Sequence, residues 1–336
     1  MPFNRYKLEI EQELKAIIGD SDTHYYQMMR YHQGWIDEHG TVQSGDTGKL
    51  LRPALCIIAC RAVGGNYKNV LPAAAVLELV HNFSLIHDDI EDQSHFRRHR
   101  RTVWSLWGQA QAINVGDGLY ALSRLGLRRL KDNGYPADKV LIAMQLLDHA
   151  CLTLCEGQYL DMGFESKTDV GVEQYLEMIG KKTAALISCA IKTGSFLGCD
   201  DDAQCNSMEQ FGWNLGMAFQ VRDDILGIWG FEDKTGKSAS DIYQKKKSLP
   251  VIHGLVSASK DDVATIKDIY EKPTIDDQDA DTVTAILDRC GARDYCENLA
   301  TDYLNKAIAI LDSLSLDSAA KDDLRQIAQF LIRRDY

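Results

Sequence analysis

The stretch Val76-Leu77-Glu78-Leu79-Val80-His81-Asn82-Phe83-Ser84-Leu85-Ile86-His87-Asp88-Asp89-Ile90-Glu91-Asp92 decides the fold. Residues 76–86 are mostly apolar, contain no glycine or proline, and read as a largely buried helix. Carboxylates at the end of such a helix gather where a core opens to water. Residues four apart on an α-helix project about 40° apart, so Asp88 and Asp92 point the same way. Hard divalent cations take oxygen ligands of this kind; magnesium takes one or two carboxylates together with phosphate oxygens and waters. A second apolar run, Leu215-Gly216-Met217-Ala218-Phe219-Gln220-Val221, leads into Asp223-Asp224, with Gly227 four residues after Asp223. One acidic pair is ordinary at a solvated helix end. Two, each approached by an apolar helix and followed by basic residues, indicate magnesium and diphosphate.

The 336 residues and 37.7 kDa allow one large domain or two ordinary ones. Prolines fall only at positions 2, 53, 72, 136, 250 and 273, so 73–135 and 137–249 run without that helix breaker. Alternating patterns and dense turn signals are absent, and an all-α protein is the economical reading. A net charge of −12 and a pI near 5.2 disfavour nucleic acid and anionic membrane surfaces, which demand a basic field. The sequence shows no stretch of about 18 apolar residues and no apolar leader, so the expectation is a cytoplasmic protein without stable membrane insertion. Its nine cysteines are expected to stay reduced. Cys56/Cys60 and Cys151/Cys155 have one-face helical spacing without neighbouring metal ligands and read as small core residues.

Residues 1–45 read as one or two amphipathic helices, followed by a loop at 44–48. Turns are expected at 64–66, 132–136, 198–202 and 272–281, with the acids of the last two solvated. Basic residues cluster at four places. Lys49 and Arg52 share one side of a helix start, where backbone N–H groups also favour anions. Arg97 and Arg98 follow Asp92, and guanidinium forks bind phosphate at two points. Lys181-Lys182-Thr183 precedes an apolar run, and Lys237 with Lys245-Lys246-Lys247 follows the second acidic pair.

In this order the residues resemble the trans-isoprenyl diphosphate synthases, the polyprenyl synthetase family. The resemblance rests on Gly48-Lys49-x-x-Arg52-Pro53, His81 ahead of Leu85-Ile86-His87-Asp88-Asp89-x-x-Asp92, and Arg97-Arg98. It continues through Lys182-Thr183, Phe219-Gln220-x-x-Asp223-Asp224, Lys237 and Lys246-Lys247-Ser248-Leu249-Pro250. These motifs span roughly positions 48 to 250 of a chain read as a single domain, 1–336. The resemblance implies an antiparallel all-α bundle around a central cavity with the two acidic motifs at its mouth, and a homodimer. It implies three Mg²⁺ ions, two at Asp88 and Asp92 within the Asp88-Asp89 motif and the third at Asp223. Arg97, Lys182, Gln220 and Lys237 would then contact the allylic diphosphate, with Thr183 and Lys246 as further substrate-binding residues. Lys49, Arg52, His81 and Arg98 would hold isopentenyl diphosphate. Gly227 departs from the fuller pattern, in which a third acid often stands there; Asp224 and Asp241 are left as candidates for water-mediated contacts.

Product length would depend on the cavity floor beneath the first motif. Phe83 lies five residues before Asp88, with small Ser84 beside it. One aromatic there resembles synthases that make the C20 geranylgeranyl diphosphate, with C15 and C25 as alternatives. A class I terpene cyclase also ionises a prenyl diphosphate but needs no isopentenyl site, against which Lys49, Arg52 and His81 speak. A noncatalytic subunit of a heteromeric synthase would not need Asp88, Asp92 and Asp223. Thr235-Gly236-Lys237-Ser238 lacks the P-loop spacing, and His95/His99 lack a catalytic glutamate between them. Arg333 and Arg334 carry no assigned role.

Overall fold

The computed structural model describes residues 1–43, 48–165, 167, 169–230 and 239–333, with the Glu165 side chain excluded. Helices dominate it, as the proline-free runs predict. The only named strands among the described residues, β1 (Phe96–Arg97) and β2 (Arg100–Arg101), form one small hairpin. Its two-residue turn is Arg98-His99, both in the left-handed region (φ 50° and 61°). That is the backbone a tight hairpin demands, adopted here by residues other than the usual Asn-Gly. His95 and His99 therefore do not share a helical face.

The chain divides into two compact units. The first comprises Met1–Cys151, Cys189–Met208 and Ser315–Leu324. It contains α1 (Lys7–Ile18), α2 (His24–His32), α3 (Leu51–Ala62), α4 (Leu71–Glu91), α5 (Val103–Trp107), α6 (Gln109–Leu127) and α7 (Arg129–Asp132). Pro72 sits in the first turn of α4, where its missing N–H costs nothing, and most of the helix is buried. Each buried Leu, Val or Ile contributes about 1.5–3 kcal/mol. Helices α4 and α6 pack antiparallel. A Cβ on Gly126 would meet Val76, the Tyr120 ring touches Phe83, and a Cβ on Gly116 would overlap the His87 ring. Glycine on α6 thus admits the histidine that precedes Asp88.

The second unit comprises Leu152–Ser188, Glu209–Leu314 and Arg325–Tyr336. Helix α8 (Ala137–Glu165) supplies its first residues, followed by α9 (Val172–Ile179), a π-turn at Gly180–Ala184 and α10 (Ala185–Gly198). Next come α11 (Asp202–Trp229) and the helix Leu249–Ser257. Its core joins Phe164, Tyr175, Met178, Met217, Val221 and Leu249.

Several sequence expectations change. Cys155 is exposed, although Cys56, Cys60 and Cys151 are buried as expected. The loop expected at 272–281 ends early, because a helix begins at Asp277. Asp276 accepts from the Asp279 N–H as its N-cap, and Asp279 is buried against Lys272, so these acids build a helix start. Two helices, at 67–91 and 137–164, are long and apolar enough to cross a membrane by length and composition, contrary to the reading of the sequence. The first is mostly buried in protein, as a core helix is. The expected loop at 44–47 lies outside the described residues.

Candidate active site

Helix α4 carries the first motif to its C-terminus. The Asp92 N–H donates to the Asp88 carbonyl at 2.8 Å, so the helical turn continues through Asp92 and keeps the two residues on one side. Asp92 is exposed and Asp88 half-buried. Asp89 points the other way: it is 1% exposed and accepts from Arg97 Nε at 2.8 Å through Oδ1. Burial pushes its carboxyl up to about 6 despite the guanidinium beside it. Its other oxygen, Oδ2, is buried and accepts no hydrogen bond among the described residues. The hairpin turn returns the chain to make this pair.

The same turn sends Arg98 to the head of α3. A Cβ on Gly48 would lie 2.8 Å from Arg98 Nη2, and Gly48 itself adopts φ +75°, so only glycine fits there without strain. Arg52, Arg98 and Arg97 are the cations acting on His81. Burial, followed by their fields, holds that imidazole well below its ordinary range and therefore neutral. Glu78, three residues earlier on the same face of α4, is 3% exposed. Burial pushes Glu78 up while Arg52 and Arg98 pull it back, and Asn82 Nδ2 donates to its Oε1 at 3.1 Å. Arg52 and Arg98 thus act on both His81 and the buried Glu78 in the first unit. Lys49 is exposed at the start of α3.

In the second unit, Lys182 and Thr183 ride on the π-turn, a distortion frequent at functional sites. A Cβ on Gly157 of α8 would collide with the Lys182 backbone. Lys182 Nζ donates to Asp161 at 2.5 Å, and Thr183 Oγ1 donates to Gln220 Oε1 at 2.8 Å. Gln220 Nε2 then donates to Asp224 Oδ1 at 3.0 Å, one turn further along α11. Asp224 is buried, and its Oδ2 accepts from Tyr175 Oη at 2.7 Å and from the Leu249 N–H at 3.2 Å. Burial pushes this carboxyl up to about 7, against those donors. Both oxygens of Asp224 are occupied by protein, so it anchors Leu249, the first residue of the helix Leu249–Ser257, at the end of the Lys246-Lys247-Ser248-Leu249-Pro250 motif. The second aspartate of each motif therefore turns inward.

Gly227 has a steric explanation. A Cβ at that position would overlap the Asp241 carboxylate, so Asp241 fills the space where the fuller pattern carries an acid. Lys246 is the cation acting on Asp241. Lys237 and Arg334 lie outside the described residues. Phe83 and Ser84 are both buried; Ser84 Oγ donates to the His81 carbonyl at 2.8 Å.

Sequence reasoning missed Glu78, Asp161 and Tyr175. Glu78 had a signal, a charge inside an apolar helical run. Asp161 and Tyr175 had none, because only tertiary packing brings them to Lys182 and Asp224. Among the described residues no cluster of three or more His, Cys, Asp or Glu forms a closed metal cage. Asp88 and Asp92, all-oxygen donors one turn apart beside the orphaned Asp89 Oδ2, suit a hard cation shared with phosphate and water.

The polyprenyl synthetase family model matches residues 33–287. This chain belongs to the polyprenyl synthetase family. The chain is 39% identical over 290 residues to a geranylgeranyl diphosphate synthase of Methanosarcina mazei, covering 86% of each chain. It is 34% identical over 330 residues to a (2E,6E)-farnesyl diphosphate synthase of Mycobacterium tuberculosis, covering 97% of this chain and 90% of that one. A crystal structure of a polyprenyl synthetase from Streptomyces coelicolor superposes with a TM-score of 0.91 at 35% identity, covering 98% of both chains. The chain therefore has the all-α isoprenoid synthase fold and is a trans-prenyl diphosphate synthase.

Proposed function

We propose that this polyprenyl synthetase is a magnesium-dependent, head-to-tail prenyltransferase that extends an allylic diphosphate with isopentenyl diphosphate to a C20 product. The observation that carries this reading is the convergence of Arg52, His81 and Arg98 in the unit that also ends α4 in Asp88 and Asp92. A cyclase, which consumes one diphosphate, has no use for that second anion site.

Lys49, Arg52 and Arg98 bind the isopentenyl diphosphate, and neutral His81 supplies a hydrogen bond without adding to the crowded positive charge. The Nε bond to Asp89 fixes the plane of Arg97 and presents its Nη atoms to the allylic diphosphate. By the family resemblance Lys182, set by Asp161, and Gln220, set by Thr183, are allylic-diphosphate ligands together with Lys237, and Lys246 is a further substrate-binding residue. When bound at Asp88, Asp92 and Asp223, magnesium supplies charge neutralisation to the leaving diphosphate. The allylic C–O bond breaks with its electron pair on diphosphate, and these cations receive the charge where it develops. The isopentenyl double bond attacks the allylic cation, and the proton then lost goes to the departed diphosphate; no side chain is assigned as base. Asp89 and Asp224 hold their motifs in shape.

The growing tail runs beneath the first motif along α4 and stops at Phe83, which gives C20. The relatives named above make products of both names, so the length rests on that side chain. Exposed Ile113 and Leu125 on α6 and Leu141, Leu152 and Tyr159 on α8 support a homodimer. Nine free cysteines support a reducing, cytoplasmic location.

The test incubates purified protein with Mg²⁺, labelled isopentenyl diphosphate and each allylic primer in turn, and separates products by length. Incorporation ending at C20 is expected. No incorporation with any primer refutes the synthase, and a cyclised hydrocarbon from one prenyl diphosphate favours the cyclase.

A further inference from the structure

Phe83 does not stand alone. Its ring meets His87 edge-on, with centroids 5.5 Å apart at 89°. It also meets Tyr120 of α6, with centroids 5.4 Å apart at 55°. The antiparallel packing of α4 on α6 fixes this pairing, since Gly116–His87, Tyr120–Phe83 and Gly126–Val76 step along both helices in opposite directions. Descending α4 from Asp88, Phe83 lies about 7.5 Å lower at 1.5 Å per residue, and Tyr120 flanks it at that level.

Tyr120 is held at its far end as well. Its hydroxyl reaches Asp148 Oδ1 on α8 at 3.5 Å. Arg124, one turn further along α6, pairs with the same oxygen and donates to the Met144 carbonyl at 3.1 Å. The ring is therefore braced between Phe83 and an ion pair on a third helix. Small Ser84 beside Phe83 offers no comparable barrier.

We propose that Tyr120 is a second chain-length determinant, which backs the Phe83 ring and forms the next barrier once Phe83 is removed. This rests on the reading of Phe83 as the floor. Phe83 alone sets the wild-type limit; Tyr120 keeps its ring from swinging aside and restricts any extension. Aromatic pairs of this geometry contribute about 0.5–1.5 kcal/mol beyond their buried area, enough to favour one ring position.

The experiment compares product lengths from Phe83→Ala, Tyr120→Ala, Tyr120→Phe and the double variant Phe83→Ala/Tyr120→Ala, using geranyl diphosphate and farnesyl diphosphate in turn with labelled isopentenyl diphosphate. Phe83→Ala should lengthen the main product by one five-carbon unit and stop there. The double variant should go at least one unit further. Tyr120→Ala alone should yield a minor longer product, and Tyr120→Phe, which keeps the ring, should keep the wild-type profile. The geranyl-to-farnesyl step takes place above this level, so its rate should persist in every variant; that separates a lost barrier from a damaged fold. A double variant with the same profile as Phe83→Ala overturns the role of Tyr120. Lengthening by Tyr120→Ala but not by Phe83→Ala removes Phe83 as the floor and leaves Tyr120 as a determinant. No lengthening in any variant whose farnesyl-forming rate persists removes both.

Discussion

Gly48→Ala tests the proposed isopentenyl site. Gly48 adopts φ +75°, where an L-residue costs about 1–2 kcal/mol, and the added methyl would lie 2.8 Å from Arg98 Nη2 and 3.0 Å from its Cζ. The guanidinium must move. If it loses one charge-assisted hydrogen bond to the isopentenyl phosphate, about 1.5–3 kcal/mol of binding goes with it. At 1.4 kcal/mol per factor of ten, KM for isopentenyl diphosphate should rise roughly 10- to 100-fold. KM for the allylic substrate should change little. Gly64→Ala is the control: it carries the same kind of backbone strain (φ +88°) but has nothing within 4 Å of the new methyl. It should lose about 1–2 kcal/mol of stability in urea melts and keep its KM values. Steady-state kinetics with each substrate varied in turn decides the matter. An unchanged isopentenyl KM in Gly48→Ala, or an equal rise in Gly64→Ala, would refute the assignment of Arg98 to that diphosphate.

Burial, with Arg98 and Arg97 nearby, lowers His32 from 6.5 to about 3. Above pH 6.5 it is neutral folded and unfolded; between those values only the unfolded chain takes the proton, so stability falls by about 1.4 kcal/mol per pH unit as pH drops. Urea melts at pH 7.5 and 5.5 should show that loss, and His32→Gln should reduce it; equal slopes in both proteins would contradict the reading. Tyr175→Phe removes a donor from the buried Asp224 carboxylate and should cost about 1–3 kcal/mol in the same melts; a change of a few tenths would show that Leu249 and Gln220 suffice. Chelation with EDTA should abolish isopentenyl incorporation and added Mg²⁺ restore it, while Asp92→Asn should lower kcat about 10²–10³-fold. Full turnover in EDTA would remove the metal from the reaction.

The all-α class was legible because its signals are local. Proline spacing and the apolar run before Asp88 required helices whatever their partners, and the i, i+4 period put Asp88 and Asp92 on one side. The roles of Asp89 and Asp224 were not legible, since adjacent aspartates look alike until Arg97 and Tyr175 arrive from elsewhere to bury one of each pair. Gly227 looked like a defect for the same reason, because the Asp241 carboxylate that fills its space comes from another segment. Asp276 is exposed as expected, but Asp279 is buried, which the sequence did not show because an N-cap differs from a loop only in where the helix begins.

The sequence by itself determined the helices, the shared side of Asp88 and Asp92 in the first motif and the inventory of cations, all set by residue type and helical period. Only the tertiary structure decided which cations meet. A two-residue hairpin turn sends Arg97 to Asp89 and Arg98 to Gly48, and the antiparallel packing of α4 on α6 sets Tyr120 against Phe83. Such encounters depend on chain reversal and close helix approach, and no local pattern of residues encodes them.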